Sequence, residues 1–165
     1  MPGSKVLLLD ADQIQQKLVR IAFQIMEENF DEKEIALVGI KQGGFKLAQQ
    51  LRKILKKYSK FSIELASVQI DKKNPLDNEI SIDPASLDKK VVVIVDDVAN
   101  TGRTLCYAMT HFQHTLPKAI QIAVLVDRQH KAFPIRPDYV GMSLATTMKE
   151  HIHVDLSGSA KVYLS

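Results

Sequence analysis

The chain has 165 residues, 45% of them apolar, and 22 basic against 19 acidic side chains give a formal charge of +3. That length supports one domain with a real core and is short for two; a charge of +3 does not itself indicate nucleic acid, and a lone cysteine, Cys106, excludes an internal disulfide or a cysteine zinc cluster. No apolar run approaches the roughly 20 residues of a membrane helix, and the start Met-Pro-Gly-Ser-Lys lacks a signal-peptide core, so a cytoplasmic protein without membrane contact is expected.

In chain order, Asp10 or Asp12 can cap a helix whose apolar positions Ile14, Leu18, Ile21, Ala22, Ile25 and Met26 fall on one stripe, facing core or a subunit interface. Residues 35–40 predict a short buried strand. A glycine-rich turn over 39–45 leads into an amphipathic helix carried by Leu47, Ala48, Leu51, Ile54, Leu55 and Tyr58. Lys53, Lys56, Lys57 and Lys60 sit at its end, where cations complement the helix dipole on a solvated face. Residues 61–70 predict a third element, a strand. The segment 71–84 is polar, contains two prolines and has no periodicity, which predicts a mobile loop.

Five branched aliphatics from Val91 to Val95 suit a strand covered on both faces. A helix ending near Thr115 follows, then a buried strand over 120–126, and short strands and turns over 127–165. This alternation argues for an α/β fold with a doubly wound parallel sheet, one domain over 1–165.

The sheet argument gives the run 91–104 its chemistry. Asp96 and Asp97 emerge at a strand's C-terminal end, the edge outside which ligands of open α/β sheets collect. Next come Val98, Ala99, Asn100, Thr101, Gly102, Arg103 and Thr104, a turn that opens a helix. Backbone N–H groups of Thr101, Gly102 and Arg103 can converge on an anion, with the Thr101 and Thr104 hydroxyls adding donors and Gly102 permitting close approach. Such a turn suits a sugar 5′-phosphate. Two acids beside it make sense if they hold ribose hydroxyls, or reach through water to Mg²⁺ carried in by the substrate. His151 and His153 share a strand face but lack a third ligand, so no metal is assigned to protein ligands alone.

The stretch Val93 to Thr104 resembles the phosphoribosyl-pyrophosphate (PRPP) motif of type I phosphoribosyltransferases. Downstream, Ala123-Val-Leu-Val-Asp127-Arg128-Gln-His130-Lys-Ala-Phe-Pro134-Ile-Arg136-Pro-Asp138-Tyr139-Val140-Gly141 is similar to the pyrimidine operon attenuation regulators that also have uracil phosphoribosyltransferase activity. With likeness around 9–25 and 39–51, the resemblance covers most of the chain. It implies a phosphoribosyltransferase-like fold with a small hood formed mainly by about 127–165 and the loop at about 71–84 as a lid. It also implies PRPP and a nucleobase as ligands, Mg²⁺ as cofactor and a homodimer or higher oligomer. Asp96, Asp97 and Lys41 are the implied catalytic residues, with 96–104 on the 5′-phosphate and ribose. Lys41, Gln42 and Gly43 would contact pyrophosphate, and Asp127, Arg128, Tyr139, Val140 and Gly141 the nucleobase.

Departures from the pattern refine the substrate. Asn100 stands where 6-oxopurine enzymes carry an aspartate proposed as acid/base, and Asp127 replaces the lysine that contacts the purine's exocyclic oxygen; both point towards a pyrimidine, of which uracil is the expected one. The regulators carry an arginine at the place of Gly43, and 61–90 holds no arginine or tyrosine, leaving Lys72 and Lys73 as the loop's cations. Arg20, Arg128, Lys131 and Arg136 could form an RNA surface, but Val19 and Phe23 stand where polar residues would be expected. A purine enzyme of the same fold and a non-catalytic nucleotide-sensing RNA binder are the alternatives.

Overall fold

A computed structural model describes residues 5–165 except 72, 78, 82 and 148. Met1 to Ser4 of the opening run, and Lys72 of the expected loop cations, lie outside the described residues.

The chain begins with β1 (Val6–Leu9) and enters α1 (Ala11–Glu28) through a capping box. Asp10 Oδ1 accepts from the Gln13 N–H at 2.8 Å, and Gln13 Oε1 accepts from the Asp10 N–H at 3.0 Å. Two of the helix's orphan donors are thereby satisfied, and Asp10 rather than Asp12 is the cap. The stripe Ile14, Leu18, Ile21, Ala22 and Ile25 is buried in the core, so it is not an interface. Truncating Ile25, fully enclosed here, would cost about 2–5 kcal/mol.

Strand β2 (Glu34–Ile40) passes directly into α2 (Lys41–Tyr58). The expected glycine-rich loop at 39–45 is therefore the strand's end and the helix's first turn. β3 (Ser62–Gln69) follows, and within 71–84 a two-residue strand β4 (Glu79–Ile80) pairs antiparallel with β3, leading to a 3₁₀ turn at Pro84–Leu87.

β5 (Val91–Ala99) leads to α3 (Arg103–Ala108), which tightens into 3₁₀ geometry over Met109–Phe112 instead of running to Thr115. Side-chain hydroxyls compete with the helical ladder there: Thr110 Oγ1 donates to the Tyr107 carbonyl at 2.7 Å and Thr115 Oγ1 to that of Phe112 at 2.9 Å. β6 (Ala119–Arg128), β7 (Tyr139–Leu144), β8 (Ile152–Asp155) and β9 (Lys161–Leu164) complete the order.

The large sheet runs β4-β3-β2-β5-β6-β7, parallel except for β4. α1 and α2 cover one face; α3 and its 3₁₀ extension pack on the other through Leu105, Ala108 and Phe112. Burial on both faces explains the unbroken aliphatic run of β5. A second sheet, β1-β9-β8, is antiparallel and draws strands from both ends of the chain. Of the segment 127–165, β7 belongs to the large sheet and only β8 and β9 to the small one.

Candidate active site

The acidic pair occupies the C-terminal end of β5, level with β6 through Asp96↔Val124 and Ala99↔Asp127. The start of α2 lies hard against it. A Cβ on Gly44 would come within 2.4 Å of the Val95 carbonyl oxygen, and one on Gly43 within 2.3 Å of Asp97 Oδ2. At Gly44, where the neighbour is strand backbone, only glycine permits this approach, and it sets the start of α2, which has no side-chain cap, beside the acidic pair.

Local backbone orients both acids. The Asp97 N–H donates to Asp96 Oδ1 at 2.9 Å, and the Val98 N–H donates to Asp97 Oδ1 at 2.8 Å. Asp96 is only 7% exposed while Asp97 is half-buried. Burial, reinforced by the neighbouring Asp97, holds the Asp96 carboxyl well above the usual carboxylate range. The pair is electrostatically primed for a cation or for hydroxyl donors.

Beyond Ala99 the chain turns over Asn100 and Thr101, and Gly102 takes φ 85°, the left-handed region that favours glycine. Thr101 Oγ1 accepts from the Arg103 N–H at 3.3 Å. The result is a polar cup of about 40 Å³ walled by Asp96 and residues 98–105. Two larger depressions adjoin it: one of about 290 Å³ between Asn100, Thr101, Arg103, Tyr107, Lys41 and Asp71, and one of about 400 Å³ over Lys41, Gln42, Gly43, Asp96 and Asp97. The three share residues along the edge where strands β2, β3 and β5 end. Lys41 borders both larger depressions with φ 53°, a strained conformation for a side-chain-bearing residue.

The residues expected at the nucleobase divide. Asp127 and Arg128 are at the edge, Asp127 beside Ala99 on one side and Ser143 on the other. The Arg128 guanidinium donates to the Thr147 carbonyl, and its Nε is buried without a partner among the described residues. Tyr139 lies one row below the acidic pair, whereas Val140 stands in the same row as Asp96 through Val124 and Gly141 follows it. They open β7, with Tyr139 level with Ala123 and Val140 with Val124. The Tyr139 ring is buried towards α1, its hydroxyl donating to Gln121 Oε1 at 2.9 Å beside Asn29, and burial pushes that hydroxyl up to about 12. Arg20 of α1 donates to the Val140 carbonyl at 3.0 Å and to that of Gly141 at 2.7 Å. The Tyr139 ring is therefore core, while Val140 and Gly141 lie in the row of Asp96 and just beyond it with their carbonyls turned to Arg20.

Sequence reasoning missed the contribution of Lys131 to this edge. Its Nζ lies 2.5 Å from Asp127 Oδ1, an ion pair at a four-residue spacing that could have been noticed. It also missed Ile70 and Tyr107, which wall the depression opposite Lys41 and carry no polar signal. Among the described residues no helix is long and apolar enough to cross a membrane, and no three His, Cys, Asp or Glu gather as a metal cluster.

The phosphoribosyl transferase domain profile matches residues 7–157. The chain is 37% identical to the bifunctional protein PyrR of Clostridium kluyveri over 96% of its own length and 97% of that protein's. It is 36% identical to the PyrR of Caldicellulosiruptor bescii over 89% and 86%. Among solved structures, a hypoxanthine phosphoribosyltransferase of Trypanosoma cruzi superposes with a TM-score of 0.73 at 18% identity, covering 86% of this chain and 78% of that one. One from Staphylococcus aureus gives 0.72 at 22%, over 86% and 79%. At these identities the structural likeness concerns the fold.

Proposed function

The chain belongs to the phosphoribosyl transferase family, and from that premise we propose that it transfers the phosphoribosyl group of PRPP to uracil, yielding UMP and pyrophosphate. The observation that carries this reading is the juxtaposition, on one sheet edge, of the Asp96–Asp97 pair, the 98–104 cup and the uncapped start of α2.

In this reading the cup receives the 5′-phosphate through backbone N–H groups and the Thr101 and Thr104 hydroxyls. Asp96 and Asp97 hold the ribose hydroxyls, while Lys41, Gln42 and the amide of Gly43 face pyrophosphate. A uracil ring nitrogen attacks the anomeric carbon as the bond to pyrophosphate breaks, the leaving oxygen takes the bonding electrons, and the nitrogen's proton passes to solvent. Positive charge on the ribose ring is favoured by the adjacent acids, and negative charge on the leaving group by Lys41 and the helix start. Asp96 and Asp97 offer two hard oxygen donors, the number that suits Mg²⁺ held mainly by substrate phosphates and water. A Mg²⁺ ion held there would supply positive charge against the pyrophosphate oxygens.

Asp71 and Pro75 wall the central depression opposite Arg103 and Thr104, which fits 71–84 as the lid that excludes water. The Lys73 N–H donates to Asp71 Oδ1 at 2.7 Å, anchoring its base. The whole of 1–165 works as one catalytic domain, and the exposed Phe23, Phe30 and Tyr58 around the ends of α1 and α2 suit pairing into a homodimer.

Nucleotide formation from PRPP and Mg²⁺ should be followed with uracil, hypoxanthine, guanine and xanthine in parallel, with Asp97→Asn as control. Uracil turnover lost in the variant is the expected result; purine turnover alone overturns the pyrimidine assignment. The resemblance to the attenuation regulators, together with relatives named as bifunctional proteins, prompts a second activity, pyrimidine-operon RNA binding. Arg20 argues against it, because its guanidinium is committed to two backbone carbonyls and Gln24. Absence of structured-RNA binding at low salt would retire it.

A further inference from the structure

Between β6 and β7 the chain forms a strap that lies over the phosphate cup. The N–H groups of Ala132 and Phe133 both donate to the Thr101 carbonyl, at 2.9 and 3.1 Å. The space around Gly102 is closed by Ile135 Cβ, the Phe133 carbonyl and Lys131 Cδ, each within 3.3–3.5 Å of where a Cβ would stand. Lys131 threads back under this strap to the sheet edge. Its ammonium donates to Asp127 Oδ1 at 2.5 Å, to the Arg128 carbonyl, and at 3.4 Å to the carbonyl of Ala99, the residue that starts the turn into the cup.

An ammonium has three N–H donors, and these contacts use all three unequally. The bond to Ala99 is at the limit of hydrogen-bond length, so it is the one a better acceptor displaces. Asp127 Oδ2 accepts from no described residue, while Oδ1 is held by Lys131. The edge of the site therefore carries a carboxylate acceptor with an exchangeable ammonium donor fixed beside it. Side chains of both residues are about one-fifth exposed, partly desolvated yet reachable.

We propose that Lys131 is a specificity-determining residue of the nucleobase site, acting with Asp127 as a donor–acceptor pair that reads a ring N–H flanked by a carbonyl. This rests on the reading above that a nucleobase docks at Asp127. A 2,4-dioxopyrimidine offers the matching edge: its N3–H meets Asp127 and its O4 meets Lys131. A 4-aminopyrimidine inverts both positions, placing a ring acceptor before the carboxylate and an amino group before the ammonium. Inverted pairs leave desolvated charges unmatched, which discriminates more strongly than a loss of contact area.

The test is the affinity for UMP against CMP, by calorimetry, in the parent protein, Lys131→Met and Lys131→Arg. The parent should prefer UMP by about tenfold or more, Lys131→Met should erase most of that preference, and Lys131→Arg should retain it. Inorganic phosphate binding, read at the cup, should be equal in all three. An undiminished preference in Lys131→Met, or no preference in the parent, overturns the proposal. If Lys131→Met does not fold, Lys131→Gln, which keeps a polar tip without the charge, carries the same comparison. Failure of uracil turnover with the UMP preference intact would instead indict the enzymatic reading alone, since the binding measurement needs no catalysis.

Discussion

At the end of β2 the chain passes without a loop into an 18-residue helix, and Lys41 absorbs the change of direction at φ 53°. At the end of β5 three residues intervene before a 6-residue helix, and Gly102 absorbs it at φ 85°. The first turn thus keeps a cation in a costly backbone conformation, whereas the second gives up its side chain for an unstrained cup. On the proposed reading, strain is retained where charge is needed, beside the departing pyrophosphate, and avoided where backbone N–H groups suffice. The second turn is also braced by the strap through Thr101, while the first rests against β5 at Gly43 and Gly44.

The sharpest way to break this contrast is at the acids both turns share. Asp97→Asn should lower kcat/KM for PRPP by about 10²–10³-fold, the range seen when one preorganised electrostatic group is lost. Thermal unfolding should barely move, since Asp97 is half-buried and its carboxylate accepts from the adjacent Val98 N–H, a bond that the amide oxygen of asparagine can keep. A comparable activity in the variant would remove Asp97 from the reaction.

Adjacent glycines of the first turn separate function from stability. In Gly44→Ala the new methyl meets the Val95 carbonyl, backbone of a central strand that cannot yield, and a loss of about 1–3 kcal/mol in denaturant unfolding is expected. In Gly43→Ala it meets Asp97 Oδ2, the end of a side chain that can swing away. That variant should keep its stability and lose turnover as the carboxylate is displaced. Equal stability losses in the two would show that α2 cannot tolerate any growth at its start.

Asp96→Asn addresses burial directly. Because the folded-state carboxyl is held above its ordinary value, the folded protein binds more protons than the unfolded chain between the two values. Stability is therefore fully present below the unfolded carboxylate value and declines as pH rises through the folded one. Asparagine cannot ionise, so the variant should gain stability relative to the parent at neutral pH and show a flatter stability–pH profile over that window. A parallel shift with unchanged slope would mean that Asp96 is not the group responsible.

What could be read in the sequence follows from how local its causes are. Val91 to Thr104 was legible because strand, acids and turn are consecutive and each residue type has its own reason to be there. The capping of α1 and its buried stripe were legible for the same reason. That the Tyr139 ring turns into the core towards α1 was not legible, because it depends on the pairing of β7 with β6, a non-local register. The membership of β1 in the small sheet, beside β9, escaped for the same reason. Lys131 was visible as a base four residues after Asp127, but four-residue spacing predicts a pair only on a helix, and the strap that folds it back is irregular chain.

Lys41→Gly offers the finest test of the opening contrast. A left-handed conformation costs a side-chain-bearing residue about 1–2 kcal/mol, and glycine avoids this cost but adds about 0.5–1 kcal/mol of unfolded-state entropy. The net expectation is a gain of up to about 1 kcal/mol in unfolding free energy, together with weaker pyrophosphate binding because the ammonium is gone. Lys41→Ala separates the two contributions, losing the cation while keeping the backbone strain. If both variants weaken pyrophosphate equally and only the glycine variant is stabilised, Lys41 is held in its strained conformation for the sake of its charge.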